Sequence, residues 1–422
     1  MRNHGLRILA SAGALSIAAL SLFCSASAST TQGIVYDFTG GNDGGNAATS
    51  VAFDLQGRAY VTTVQGGVDG CGTLDRLTPK QGSWMEQTVW TFTCGADGKN
   101  PHGGVTFDSA GNLFGTTVAG GSGGICVGDG CGVIFRKGAH DGFRVIYNFT
   151  GNKDGFGPGN PVAIDSHENL YGDAPDGGAH GVGVVYQLSF HRAQWQLKVL
   201  HAFTGGNDGG IGSLGPLLVD SAGDIFGVTE IGGLHQAGTA FKLVPGPNNT
   251  FSFSVIYQFK GLPDAGSPYG GLIADAQGDL FGTTYFGGTS GNGAVYELMP
   301  RSTGRYAERV LYSFTGGSDG GNPTSTLVFD AAGDLFGTTD VGGGSCGCGV
   351  VFKIDHMTGM ESVVHAFGST GSDGQSPLYG LTPDANGNLF TSTVGGGSFG
   401  QGVVFGMTPS ARRTMKDAIR AH

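Results

Sequence analysis

Seven aspartates stand at matched places in glycine-rich stretches and are the first residues here that could do chemistry. They are Asp43, Asp97, Asp154, Asp208, Asp264, Asp319 and Asp373. Each follows by five or six residues a Phe that ends a β-like run: Phe38, Phe92, Phe149, Phe203, Phe259, Phe314 and Phe367. A ring of carboxylates beside glycine-rich backbone could bind calcium through side-chain and carbonyl oxygens. One carboxylate per loop is few for such a hard cation. Asp also accepts hydrogen bonds from nearby turn amides, and an Asp in every copy suits that folding role. Calcium is therefore the only cofactor to consider, and the first expectation is none.

A second set is irregular. His180 and His235 occupy the same loop in copies three and four, and Glu230 lies nearby in sequence. Together they could form an acid–base or metal cluster. Exposed loop histidines without such a role are common. Glu230 and Asp340 are equivalent positions two copies apart, and paired carboxylates do glycoside chemistry only at about 5–9 Å. His102 lies in another link. No nucleophile elbow, phosphate loop or Ser/His/Asp order is recognisable.

The Phe positions lie 53 to 57 residues apart, so one supersecondary unit is copied seven times. The sixth copy shows its parts. Leu327 to Asp330, Leu335 to Thr339, Val350 to Ile354 and Val363 to Phe367 are four short β-rich runs between turn signals. Each is apolar on both faces and must be covered on both sides. The pattern predicts an all-β fold, a seven-bladed β-propeller of four-stranded antiparallel blades. Aromatic residues recur on the second strand (Tyr60, Phe114, Tyr171, Phe226, Phe281, Phe336, Phe390). They recur on the third (Phe135, Tyr186, Phe241, Tyr296, Phe352, Phe405), where the first copy has Asp75 instead. Stacked repeats must bury such positions. The chain begins with a fourth strand, Ile34 to Phe38, and ends with a first, second and third. The N-terminal strand should therefore complete the last blade and leave no free edge. A further Asp precedes the first turn of each copy, from Asp54 to Asp384, and reads as a turn cap. Copy three has Glu168 where the others have Gly, which predicts a strained or altered turn.

Residues 1–28 read as a signal peptide: Arg2 and Arg7, an apolar run, then Ala26-Ser27-Ala28. Residues 29–407 are the propeller and residues 408–422 a short basic tail. No other stretch approaches the roughly 18 apolar residues of a membrane span. The expectation is a secreted, extracellular or periplasmic protein. Removing residues 1–28 leaves 20 basic and 33 acidic side chains, a net charge of −13. That balance repels nucleic acid and anionic lipid. Glycine accounts for 83 of 422 residues, but at fixed repeat positions rather than as low complexity.

Six cysteines remain: Cys71, Cys94, Cys126, Cys131, Cys346 and Cys348. Their even count and the export context favour disulfides over metal, though six cysteines allow fifteen pairings. Cys71 and Cys94 should reach the same face of one blade, which predicts Cys71–Cys94. Cys126–Cys131 and the tight Cys346–Cys348 then follow as loop staples.

The unit from Leu311 to Ile354, with its Y-x-F, D-G-G, L-F-G-T-T and G-G…G-V-V-F, resembles the GloVer-type tandem repeat of exported bacterial proteins. The resemblance implies a secreted repeat protein, often held at the cell surface by a C-terminal anchor, and implies no catalytic residues. The tail here carries Arg412, Arg413, Lys416 and Arg420 and lacks the hydrophobic stretch of a sorting signal.

Both glycine-rich loops of each blade should share one face, where a rigid scaffold would present its binding surface. The leading expectation is a non-enzymatic, monomeric binding or scaffold protein. Its partner would be an extracellular polysaccharide or a surface protein. One alternative is a secreted polysaccharide lyase or glycoside hydrolase using the His180/Glu230/His235 sector. Another is a purely structural cell-envelope protein.

Overall fold

The computed structural model describes residues 32–409 except 48, 127, 213 and 214. The signal segment and almost all of the basic tail lie outside the described residues. Seven antiparallel sheets follow one another around an axis. Blade 1 runs outward through Ala52–Phe53, Ala59–Thr63, Thr73–Lys80 and Ser83–Thr91. Blades 2 to 6 repeat this order. Blade 7 takes Thr382–Pro383, Leu389–Ser392 and Val403–Met407 from the end of the chain and Gln32–Asp37 from its beginning. Gln32 pairs with Met407 and Asp37 with Val403, so the two termini share one sheet and the ring is closed.

The aromatic pattern explains how the blades stack. All seven opening Phe side chains are buried. In six of the seven interfaces the Phe meets the third-strand aromatic of the next blade edge-on. Phe92–Phe135 and Phe314–Phe352 do so at 5.4 and 5.0 Å between centroids. Those rings need space beneath them. In blades 2 to 6 a Gly on the second strand provides it: a Cβ on Gly115 would stand 2.4 Å from Phe135, and one on Gly337 2.5 Å from Phe352. Blade 1 changes both partners at once. Val61 replaces the Gly and Asp75 replaces the ring. Asp75 is fully buried and accepts a hydrogen bond from Thr73. Burial, followed by the charge of Glu86, raises its pKa well above the carboxylate range.

In every blade a bulge interrupts the pairing of third and outer strands beside the third-strand aromatic position, for example between Val185 and Tyr186. A bulge adds local twist, and here it re-aims the residue two before the Phe toward the loop face.

The two glycine-rich loops of a blade are tied together. The link entering each blade pairs with the segment just past its second strand: Gly45 with Gln65, Lys99 with Ala119, Phe156 with Asp176, Gly321 with Val341. Blades 4, 5 and 7 extend this into short ribbons, Gly210–Gly212, Ala265–Pro268 and Gly374–Gln375. Both loops therefore lie on one face.

The opposite turns are capped as expected. Asp108 Oδ1 accepts from the amides of Ala110 and Asn112 at 3.0 and 2.7 Å, and the other copies do the same. Of the strained or altered turn expected in copy three, the structure shows the strained form. Glu168 keeps the same bond to the Asp165 carbonyl and adopts φ +64°, so the turn is unchanged and the strain sits on one residue.

Candidate functional site

The loop face contains two concentric sets of residues. The outer set is the repeated Asp. Thr39 donates its amide to Asp43 at 2.8 Å and its hydroxyl to the other carboxylate oxygen. Tyr36 adds its hydroxyl at 3.0 Å. The donor two before the Phe changes chemistry but not role: Trp90 for Asp97, Tyr147 for Asp154, His201 for Asp208, Tyr312 for Asp319 and His365 for Asp373. Asp264 departs from this, pairing with Lys260 at 3.0 Å while Tyr257 turns to Glu308. Burial alone would raise Asp208 and Asp319. Their hydrogen bonds, from Thr204 and His201 and from Thr315 and Tyr312, outweigh it and hold both carboxyls below the usual range. Each outer carboxylate thus closes its own inter-blade link.

His180 and His235 are exposed at loop tips, while Glu230 is half-buried. Among the described residues no group of three His, Cys, Asp or Glu is placed to hold a metal ion. The three candidates therefore do not assemble into a metal site. His180 instead lies within electrostatic reach of His201, whose imidazole burial keeps largely neutral. Disulfides join Cys71 to Cys94, Cys126 to Cys131 and Cys346 to Cys348, each with Cα atoms 5.3 Å apart. All three staple the loop face.

The inner set surrounds the axis. One position directly follows the second-strand Thr-Thr of most copies. Around the ring it reads Val64, Val118, Pro175, Glu230, Tyr285, Asp340, Val394. A cavity of about 720 Å³ is lined by Val64, His102, Val118, Pro175, Glu230 and Tyr269, among others. Five successive blades contribute to it, so it lies over the axis. Residues of blades 5 to 7 adjoin this lining. Tyr269 packs on Tyr285 with centroids 5.7 Å apart. Tyr379 of blade 7 is hydrogen-bonded to His102 of blade 2 at 2.5 Å, spanning blade 1, where the link carries the small Ala47 and Thr49.

The electrostatics of this mouth invert those of Asp208 and Asp319. Glu230, Asp176 and Asp340 are all raised by burial, Asp340 despite a hydrogen bond from Ser376. Tyr269 is pushed up to about 12 by burial and then by the charge of Glu230, with Tyr285 and Asp340 adding to it. Burial raises Tyr285 as well, followed by Asp340 and Glu230. Both carboxylates therefore act on the same two tyrosines. Beneath the mouth Asp173 takes the place of a repeated Thr. It is buried, accepts from Asn160 at 2.7 Å, and is held at about 7 by desolvation.

Residues 214–418 match the Gloeobacter/Verrucomicrobia repeat family. Over that span the chain carries GloVer-type repeats. None of the curated proteins matches the sequence. Solved structures resemble the repeat protein in fold at low identity. The extracellular domain of a candidate one-component system from B. thetaiotaomicron aligns with TM-score 0.52 and 13% identity, over 88% of this chain. This chain spans only 38% of that protein's length. A candidate 6-phosphogluconolactonase from Bacteroides uniformis gives 0.51 and 13%, over 79% of this chain and 87% of the other. A fungal copper-containing alcohol oxidase gives 0.53 and 12%, over 86% and 74%. These likenesses establish the propeller shared by otherwise different proteins.

The GloVer repeat explains why the mouth is hard to see in one copy. Sequence patterning singles out His180 and His235 and passes over Tyr269, Tyr285, Tyr379 and Asp176. A signal for them exists: the residue after Thr-Thr changes between apolar, acidic and aromatic around the ring. No helix among the described residues is long and apolar enough to cross a membrane.

Proposed function

We propose that this GloVer-type protein is an exported, non-enzymatic binding propeller that holds an extracellular polysaccharide at the axial mouth of its loop face. One observation carries this reading. The fold imposes the same residue type at its core and turn positions in nearly every blade, but at the mouth the equivalent positions diverge. Blades 1, 2, 3 and 7 supply Val64, Val118, Pro175 and Val394, and blades 4 to 6 supply Glu230, Tyr285 and Asp340. Nothing in blade stacking asks for that split.

The mouth suits a saccharide. A volume of about 720 Å³ is within the range of small-ligand sites, roughly 300–1,000 Å³. In its lining Tyr269 offers an apolar face for a sugar ring, and Glu230, Asp176 and Asn100 offer polar groups for its hydroxyls; Tyr285 extends the aromatic surface beside Tyr269, and the charge of Asp340 acts on both rings. Around it the loop tips carry exposed apolar side chains, Val68, Ile125, Leu234, Phe286 and Phe399. That perimeter could contact neighbouring units of a polymer. Three disulfides in one chain fit an oxidising compartment outside the cytoplasm.

A glycan array probed with the full protein and with Tyr269→Ala tests the reading. Binding to a defined glycan class that falls at least tenfold in the variant is the expected result. Equal binding by both proteins would remove the mouth from the site.

A further inference from the structure

We infer that the mouth recognises a saccharide through a primary ammonium, so that the ligand is an amino-sugar chain with free amino groups, held between Glu230 and Asp340 against Tyr269 and Tyr285. The inference rests on the reading of the mouth as a glycan site and narrows it to one chemical class.

The argument begins from uncompensated charge. Glu230 is half-buried, and its carboxylate has neither a hydrogen bond nor an ion pair among the described residues. Asp340, also half-buried, has Ser376 as its side-chain partner and no cation. No Lys or Arg lines the cavity among the described residues. The nearest basic side chain in sequence to its lining, Lys99, is already paired with Asp129 at 2.9 Å. His102 is bonded to Tyr379, and burial lowers its pKa, so it is neutral near pH 7. Glu230 and Asp176 therefore line a partly dry basin without a cation, Asp129 at its edge being the one lining carboxylate that is paired, and Asp340 acts from beside it on the same two tyrosines as Glu230.

A neutral sugar entering this basin would strip remaining water from both carboxylates and offer only hydroxyl donors in return. Burying an ionised group without a counter-charge is costly. An ammonium reverses the sign of that term. It supplies three donors to two acceptors, and the electron-rich ring faces of tyrosine attract cations. A bare metal ion fits less well, because no three-ligand group exists among the described residues. A lysine side chain carries the same ammonium on a thin stem. It would leave most of the 720 Å³ and the far-side polar groups, Asn100 and Asp176, unused. A sugar ring bearing the amine fills that space.

The test is calorimetric titration of the full protein with three probes: the glucosamine tetramer, its fully N-acetylated counterpart, and a tetralysine peptide. The expected result is tetramer binding at least tenfold tighter than the acetylated form or the peptide. Glu230→Gln and Asp340→Asn should each weaken it tenfold or more with no loss of melting temperature. Glu361→Gln, remote from the mouth, should leave it unaltered. Acetylated tetramer binding as tightly as the free amine overturns the ammonium inference while the glycan site stands. Peptide binding without tetramer binding overturns both. No binding of any probe, with an unrelated glycan bound on the array, overturns the inference alone.

Discussion

The outer and inner carboxylates of the loop face are close in sequence and opposite in physics. Six of the seven outer Asp residues accept hydrogen bonds from their own link and outer strand, as in Thr150 and Tyr147 around Asp154, and Asp264 pairs with Lys260 instead. The inner ones, Glu230, Asp340 and Asp176, are partly desolvated with few or no donors. Where hydrogen bonds to the charged form prevail, the pKa falls; where desolvation prevails, it rises. The lesson is that a carboxylate present in every repeat is occupied by the fold, and one confined to a sector is available to something else.

The comparison can be broken by experiment, most strongly at Asp173. Its folded pKa of about 7 lies above the unfolded value of 3.8, so the folded state binds the extra proton. The associated stability is fully present below pH 3.8 and is lost as pH rises through 7, roughly 4 kcal/mol in all. Denaturant melts from pH 4 to pH 8 should show that decline, and Asp173→Asn should flatten it. An unchanged pH profile in the variant would show that Asp173 is not the source.

Outer carboxylates should behave the other way. Asp208 and Asp319, held low, stabilise the fold above the unfolded carboxylate range, and that contribution disappears as pH falls through their folded values. Their hydrogen bonds, not their burial, set that direction. Asp154→Ala leaves Tyr147 and Thr150 without their acceptor and should cost about 3 kcal/mol, read as a lower denaturation midpoint. Glycan binding at the mouth should survive it. A variant as stable as the parent would show that the outer ring is not a set of link closures.

Glu230→Gln should do the reverse, removing glycan binding while raising stability by about 0.5 kcal/mol, because solvent screens a half-buried charge. Loss of stability in that variant would place Glu230 with the outer set. The smallest effect is expected from calcium. With their lone pairs already engaged, the outer carboxylates should give no rise in melting temperature up to millimolar calcium. A rise that grows with the logarithm of concentration would make the ring a calcium site after all.

Much of this was legible in the sequence. The spacing of Phe38 to Phe367 counts the blades, and the phase of the repeat places strand Gln32–Asp37 beside Val403–Met407. Core and turn positions are fixed by neighbours within a repeat, so each copy announces them. The mouth is different. His102 and Tyr379 meet although 277 residues separate them, and Tyr269 senses Asp340 from another blade. Such contacts depend on how near the axis each residue stands, which linear spacing does not record. His180 and His235 share a loop position but lie at its exposed tip. The role of the residue two before the Phe was hidden because Tyr, Trp and His all serve as donors there. Where blade 7 meets blade 1, the paired change to Val61 and Asp75 needs both strands in register before it can be recognised.

The closure of blade 7 sets the order in which the molecule can be completed. Strand Gln32–Asp37 is synthesised before every other strand of the ring and has no neighbour until residues 403–407 exist. Contacts of such long separation form slowly. A chain cut short before Val403 would not simply lack part of one blade. It would expose unpaired strand edges at both ends of an open arc, the arrangement most prone to joining another copy edge to edge. The latch thus makes integrity all-or-none: one missing strand turns a self-contained ring into a template for aggregation.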